Sequence, residues 1–324
     1  MIVITLFLMY CIAPYVCIAQ EQPYSCTKTY QTVAISGLYA SKNLILASSL
    51  WDSDIIKCLK ITDGTVVKTV SDPIQEYMAG SANFYTPNES SIISANSGIN
   101  IVKYGIETNE VETICAQLPV ITALRAHSIS LNTFFTGHMD GRAGYWDAGQ
   151  AKLIHAFIDP KESAPISDIQ ILNNNTIAVA NFYGTITLWD IAQQKIIRKL
   201  PNPTKKKINA MTVPLNQDTV LYLLDANNTL MVYNVSTNST TVITNTNQDF
   251  NTGLVSTDKL VLASGLLGGA IKTWNVSDST RGIGIDTDET SVNCLISQGS
   301  TLYTGHDAHI KQWKPNTLAT SSVQ

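Results

Sequence analysis

Residues 136–147 read TGHMDGRAGYWD, which places a histidine, two aspartates, an arginine and a tryptophan within twelve positions. His138 beside Asp140 has the residue types of a general base and the carboxylate that would orient it. Asp140-Gly141 is equally turn chemistry, because an aspartate side chain accepts backbone hydrogen bonds and glycine tolerates a positive φ. A second TGH stands at 304–306, followed directly by Asp307. Matching positions in two stretches point to shared structural work, so the turn reading leads over catalysis.

Two further clusters carry possible ligands. His306, Asp307 and His309 suit zinc by type, but no fourth ligand stands nearby, so a polar exposed turn is the leading reading and no metal is assigned. GIDTDETS brings Asp286, Asp288 and Glu289 together like the start of a calcium loop, without the glycine and distal glutamate such a loop needs. An acidic surface loop is the simpler reading. KIIRKLPNPTKKKIN holds the strongest charge feature: Arg198, Lys199, Lys205, Lys206 and Lys207 around a proline-rich connection. Such a patch would attract an acidic protein, a sulfated glycan or a lipid headgroup; its plain alternative is a solvated loop. No nucleophile elbow, Walker loop or dinucleotide fingerprint occurs, so no catalytic residue and no cofactor is expected.

The elements that must position these residues repeat. TGHMDGRAGYWDAGQAK, AVANFYGTITLWDIAQQK, LASGLLGGAIKTWNVSDS and YTGHDAHIKQWKPNT each join a small-residue strand end, a short polar turn and a second strand ending in Trp. Three weaker copies fill the gaps. Their terminal large residues are Leu59, Tyr104, Trp146, Trp189, Tyr233, Trp274 and Trp313, separated by 45, 42, 43, 44, 41 and 39 residues. That period marks a four-stranded propeller blade. In TITLW, Ile186 and Leu188 alternate with Thr187 and Trp189, so both faces of the strand are packed, as stacked blades require. The expected architecture is all-β, a seven-bladed propeller of four-stranded antiparallel blades.

On these residues the chain resembles the WD40-repeat family over roughly residues 24–324. Trp146-Asp147 and Trp189-Asp190 are full Trp-Asp pairs; Trp274 and Trp313 keep the Trp alone. The family's Gly-His at the start of each repeat is absent throughout. The resemblance therefore implies an incomplete hydrogen-bond network, with Thr136, Asp140 and Trp146 as the members kept in blade 3. It also implies that the ring is closed by a strand from one chain end. The N-terminal YSCTKTYQ is favoured over the C-terminal TLATSSVQ.

Composition bounds the rest. The chain has 324 residues, a net charge of −4 and 14% charged residues, which argues against nucleic acid as the main partner. Its first nineteen residues carry no charge and end in Cys17-Ile18-Ala19. They are read as a signal peptide cleaved before Gln20, with an uncleaved membrane anchor and a cytoplasmic protein as rivals. Residues 20–324 form the propeller domain. Cys26, Cys58, Cys115 and Cys294 remain in the mature chain, as free thiols or as one or two disulfides. Asn88, Asn174, Asn227, Asn234, Asn238 and Asn275 head N-glycosylation sequons. By the propeller resemblance all but Asn227 fall on one face, and the Lys cluster and the 286–289 loop on the other. The leading expectation is a secreted, non-catalytic platform for a protein or peptide. A carbohydrate-binding or hydrolytic propeller and an intracellular WD40 scaffold are the alternatives.

Overall fold

The computed structural model describes residues 24–32, 35–49, 55–71, 84–96, 99–126, 132–214, 217, 219–245, 253–257, 259–264, 269–279, 284–289 and 291–316. Residues 1–19 and the cleavage site before Gln20 lie outside the described residues, as does TLATSSVQ. Among the described residues every regular element is a strand, and no helix is long and apolar enough to cross a membrane.

The strands form a β-propeller of four-stranded antiparallel sheets. Each sheet runs from an inner strand a to an outer strand d. Blade 3 comprises Ile121–Ala126, Thr133–His138, Ala143–Asp147 and Lys152–Phe157. Blade 4 comprises Ile166–Asn173, Thr176–Asn181, Ile186–Asp190 and Lys195–Leu200. Blades 1, 2, 5 and 6 span 35–71, 84–115, 208–245 and 253–286. The inner strands touch one another in a closed cycle.

The expectation of a seven-bladed propeller is corrected here. Six blades are each folded from one continuous stretch of chain. The remaining four-stranded sheet is not a further copy of that unit. It joins Cys294–Gln298, Thr301–Gly305 and His309–Pro315 to the N-terminal Tyr24–Gln31, which pairs from Tyr24 opposite Pro315 to Gln31 opposite His309. The last repeat supplies only three strands among the described residues. Its unpaired outer edge is satisfied by the other chain end, so this composite sheet closes the ring.

Packing follows the repeat register. Leu59, Tyr104, Trp146, Trp189, Tyr233, Trp274 and Trp313 are all buried on strand c. Each stands opposite an apolar residue of strand b: Ile45, Ile92, Phe134, Ile177, Leu221, Val261 and Leu302 in turn. Each anchor also belongs to a different apolar cluster and faces the preceding sheet; Leu59 packs with Tyr303 and Ile310 of the closing sheet. Three residues earlier, Ile101, Ala143, Ile186, Leu230, Ile271 and Ile310 face the following sheet. One strand thus fills two clefts, and no sheet can bury its faces alone.

The b–c turns dock on the connections between blades. Gly141 and Gly184, five residues before their Trp, have φ of +85° and +83°. A Cβ on Gly141 would stand 2.9 Å from the Ala164 carbonyl oxygen, and one on Gly184 would collide with that of Lys206. Glycine is required there on both counts.

Candidate functional site

His138 closes the b–c turn with its backbone, its carbonyl accepting the Gly141 N–H at 3.1 Å. It ends strand b of blade 3, is 3% exposed, and completes a buried relay. The Trp146 indole Nε1 donates to Thr136 Oγ1 at 2.8 Å. Thr136 Oγ1 lies 2.8 Å from His138 Nε2, and His138 Nδ1 lies 2.9 Å from the Pro119 carbonyl. A carbonyl only accepts, so Nδ1 carries the proton and Nε2 accepts from the threonine hydroxyl. Burial pushes the His138 pKa down, which favours this neutral form. The closing sheet repeats the relay through Trp313, Thr304 and His306 to the Ser291 carbonyl, at 2.9, 2.7 and 2.7 Å. The expected network is corrected accordingly: the histidine comes from strand b itself, and Asp140 stays outside, accepting from Arg142 across the turn.

His306 therefore spends both ring nitrogens within the protein. Of its neighbours, Asp307 accepts from Asn293 at 2.9 Å. His309 Nε2 and Lys311 Nζ both reach Glu289 Oε1 at 2.8 Å. Burial pushes Glu289 up, but hydrogen bonds from Lys311 and His309 and their charges outweigh it and hold the carboxyl below its usual range. Asp286 Oδ1 accepts the backbone N–H of Asp288 at 3.0 Å. Among the described residues no group of three or more metal-type side chains converges.

The five cations of the 198–207 segment do not share one surface. Arg198 turns toward blade 5 and donates to the Val235 carbonyl at 2.8 Å. Lys199 turns the other way, to Asp159 at 2.8 Å and Glu162 at 2.7 Å, and these two hydrogen bonds raise its pKa. Lys205 and Lys206 are exposed, and Lys207 Nζ sits 4.1 Å above the Phe182 ring. These three remain grouped on the face of the b–c turns.

The same face carries a second polar cluster, between blades 3 and 4. Glu162 Oε1 accepts from Asn181 Nδ2 at 2.7 Å and Thr185 Oγ1 at 2.6 Å. Asn181 Oδ1 in turn accepts the backbone N–H groups of Tyr183 and Thr185. Burial pushes Glu162 up, but the bonds from Lys199, Thr185 and Asn181 outweigh it and hold the carboxyl low. The adjoining cavity, lined by Phe157, Asp159, Asn181, Thr185 and Trp189, has about 30 Å³, the scale of a single water.

One functional-type residue escapes the repeat pattern. Asp168, fully buried on the inner strand of blade 4, accepts from Arg125 Nη2 at 2.6 Å and from the backbone N–H of Ile169 at 2.8 Å. Its other oxygen accepts the Met211 N–H at 2.8 Å, so one carboxylate ties the inner strands of blades 3, 4 and 5. Burial raises its pKa, and Arg125 and the two amides oppose that rise. The signal lay in one column of the repeats. Two residues after the inner-strand isoleucines Ile35, Ile121, Ile166 and Ile208 stand Gly37, Ala123, Asp168 and Ala210. Only one of these is charged.

Asn88, Asn174, Asn234, Asn238 and Asn275 lie at the a–b and c–d ends of their blades, and Asn227 in a b–c turn. Tyr233 donates its hydroxyl to Asn238 Oδ1 at 2.8 Å. The four described cysteines are unpaired. Burial pushes the Cys294 thiol up to about 12 and, aided by the Glu89 charge, that of Cys58 to about 11, which leaves both as inert thiols. Cys26 is exposed and Cys115 half-buried. Compared with known proteins, the chain matches no protein-family model and no curated protein sequence.

Proposed function

We propose that this chain is a non-catalytic interaction platform, a WD40-like propeller that travels the secretory pathway and offers the loops of one face to a protein or peptide. The observation that carries the reading is how the chemically capable side chains are spent. His138 and His306 are locked in buried relays, and Asp168, the sole carboxylate residue of the inner strands among the described residues, is triply bonded. What remains open is a rigid face of b–c turns and connections. The WD40 assignment draws on Trp146-Asp147, Trp189-Asp190 and the two Trp–Thr–His relays. Export draws on the uncharged N-terminus.

A second reading, an intracellular scaffold, has one observation in its favour. Cys26 presents an exposed unpaired thiol, which is unusual after passage through an oxidising compartment. The test is capture of the full-length chain, tagged at its C-terminus, from medium and from lysate, with intact-mass analysis of both. A product beginning at Gln20 in the medium, with a stoichiometric protein partner, supports the platform reading. Recovery from lysate alone, with Met1 intact and no N-glycan, moves the chain to the intracellular reading.

A further inference from the structure

We propose that the face over blades 3 to 5 binds an acidic segment of a partner protein that carries an apolar side chain, with Tyr183 as its central contact. This rests on the platform reading and adds the place and the partner's chemistry. Tyr183 stands at the tip of the blade 4 turn and is 73% exposed. Ile158, in the connection that leads into blade 4, is 52% exposed, and Met139, in the blade 3 turn, is 41% exposed. They belong to one surface because the turns and connections interlock. Gly141 packs on 163–164, the Phe182 N–H donates to the Pro165 carbonyl at 2.8 Å, and Asn202 bridges Gly184 O and Lys206 O at 2.7 and 3.1 Å. The Tyr183 turn and the lysine connection are therefore one preformed unit, which lowers the ordering cost of binding.

Charge names the partner. The chain as a whole is at −4, yet among the described residues no carboxylate pairs with Lys161, Lys205, Lys206 or Lys207. Of the acidic groups here, Asp140 pairs with Arg142, Asp159 and Glu162 share Lys199, and the buried Asp225 accepts turn amides, so the four unpaired lysines still outnumber the carboxylates left without a cation. A sulfated glycan or a lipid headgroup would be met by cations alone. Here the cations share one face with an exposed aromatic and two aliphatic side chains, which suits a protein contact with both apolar and charged parts.

The test selects a phage-displayed library of random twelve-residue peptides on the full-length protein and measures recovered peptides by fluorescence anisotropy. Heparin and vesicles of 70:30 phosphatidylcholine:phosphatidylserine are run alongside. The expected peptides are rich in Asp and Glu around an aromatic or aliphatic residue. Their affinity drops about tenfold or more on Tyr183→Ala, drops again on the Lys205→Glu/Lys206→Glu double substitution, and weakens with salt. All three residues are exposed, so unchanged melting temperatures show that the variants fold. Heparin or vesicle binding that falls with the lysine changes and ignores Tyr183→Ala overturns the proposal in favour of a polyanion surface. Recovered peptides indifferent to both variants place the binding elsewhere and leave the platform reading standing. Recovery of no peptide removes this proposal, while partner capture from medium still decides the broader reading.

Discussion

Blades 3 and 4 both end their third strand in Trp-Asp, pack the ring of that Trp against the preceding blade, and dock their b–c turns through a glycine. They use the residues around the Trp in opposite ways. In blade 3 the indole donates to Thr136, and the relay runs inward and back through His138 to the connection that enters the blade. In blade 4 the corresponding strand positions are Val179 and Asn181. Trp189 is held by an edge contact with Phe157, with ring centroids 5.4 Å apart, and the polar residue turns outward to Glu162 and the Tyr183 turn. Two strand-b positions, Thr136 and His138 against Val179 and Asn181, therefore separate a polar network consumed inside from one set under a surface turn. Where it is consumed, the blade is a fastener. Where it is displaced, it braces the exposed Tyr183.

The sharpest way to break this pairing is to cut the pin between the two blades. Arg125→Met should cost about 3 kcal/mol in denaturant unfolding, because it leaves the buried Asp168 carboxylate without its cation. Adding Asp168→Asn should recover part of that loss. A double variant no more stable than Arg125→Met would show that the pair does not pin the inner strands. The next effect separates the two tryptophans. Trp146→Phe removes a buried donor and opens the relay, for about 2 kcal/mol. Trp189→Phe, with no indole hydrogen bond found among the described residues, loses packing alone, for about 1 kcal/mol. Equal costs would erase the distinction drawn between the blades.

These differences mark where sequence reasoning stops. The Trp spacing, the two packed faces of strand c and the N-terminal closing strand were readable because periodic burial leaves a periodic trace. The role of His138 was not, since its partner is a backbone carbonyl at Pro119 in the preceding connection and a carbonyl has no sequence signature. Asp168 sat in a column of small residues, but only the tertiary approach of Arg125 and the Met211 amide explains its burial. The Lys cluster reads as uniform along the sequence, whereas strand alternation sends Arg198 and Lys199 to opposite sides. The closing sheet keeps its Trp in register with the other repeats and takes its outer strand from Tyr24–Gln31, the YSCTKTYQ segment.

A smaller effect tests the relays by pH. Burial lowers the pKa of His138 despite the bond to Pro119 and the charge of Asp140, with Arg142 lowering it further. His306 is lowered likewise, with Glu289 opposing and His309 and Lys311 assisting. A histidine whose folded pKa lies below its unfolded value of about 6.5 contributes its full stability above that value. The contribution is lost as pH falls through 6.5 toward the folded pKa, because the unfolded chain takes up the proton first. The melting temperature should therefore drop between pH 7.5 and 5.5, and drop less in a His138→Gln/His306→Gln variant. Parallel drops in both proteins would assign the acid sensitivity to other groups.

The smallest expected effect lies in blade 4 and carries the comparison to the surface. Glu162→Gln keeps the shape and the bonds from Asn181 and Thr185 but removes the charge facing Lys199. Both partners are partly exposed, so the global cost should stay at or below about 1 kcal/mol and shrink further in salt. Its local signature should be larger than its global one. With Glu162 held less firmly, Asn181 is freer to release the amides of Tyr183 and Thr185, whose hydrogen exchange should speed up. The Trp146 indole, enclosed in its own relay, should exchange at the wild-type rate. Faster exchange at both sites would mean that the two blades share one network. Faster exchange at the turn alone would establish that blade 4 has traded an internal fastener for a brace beneath its most exposed aromatic residue.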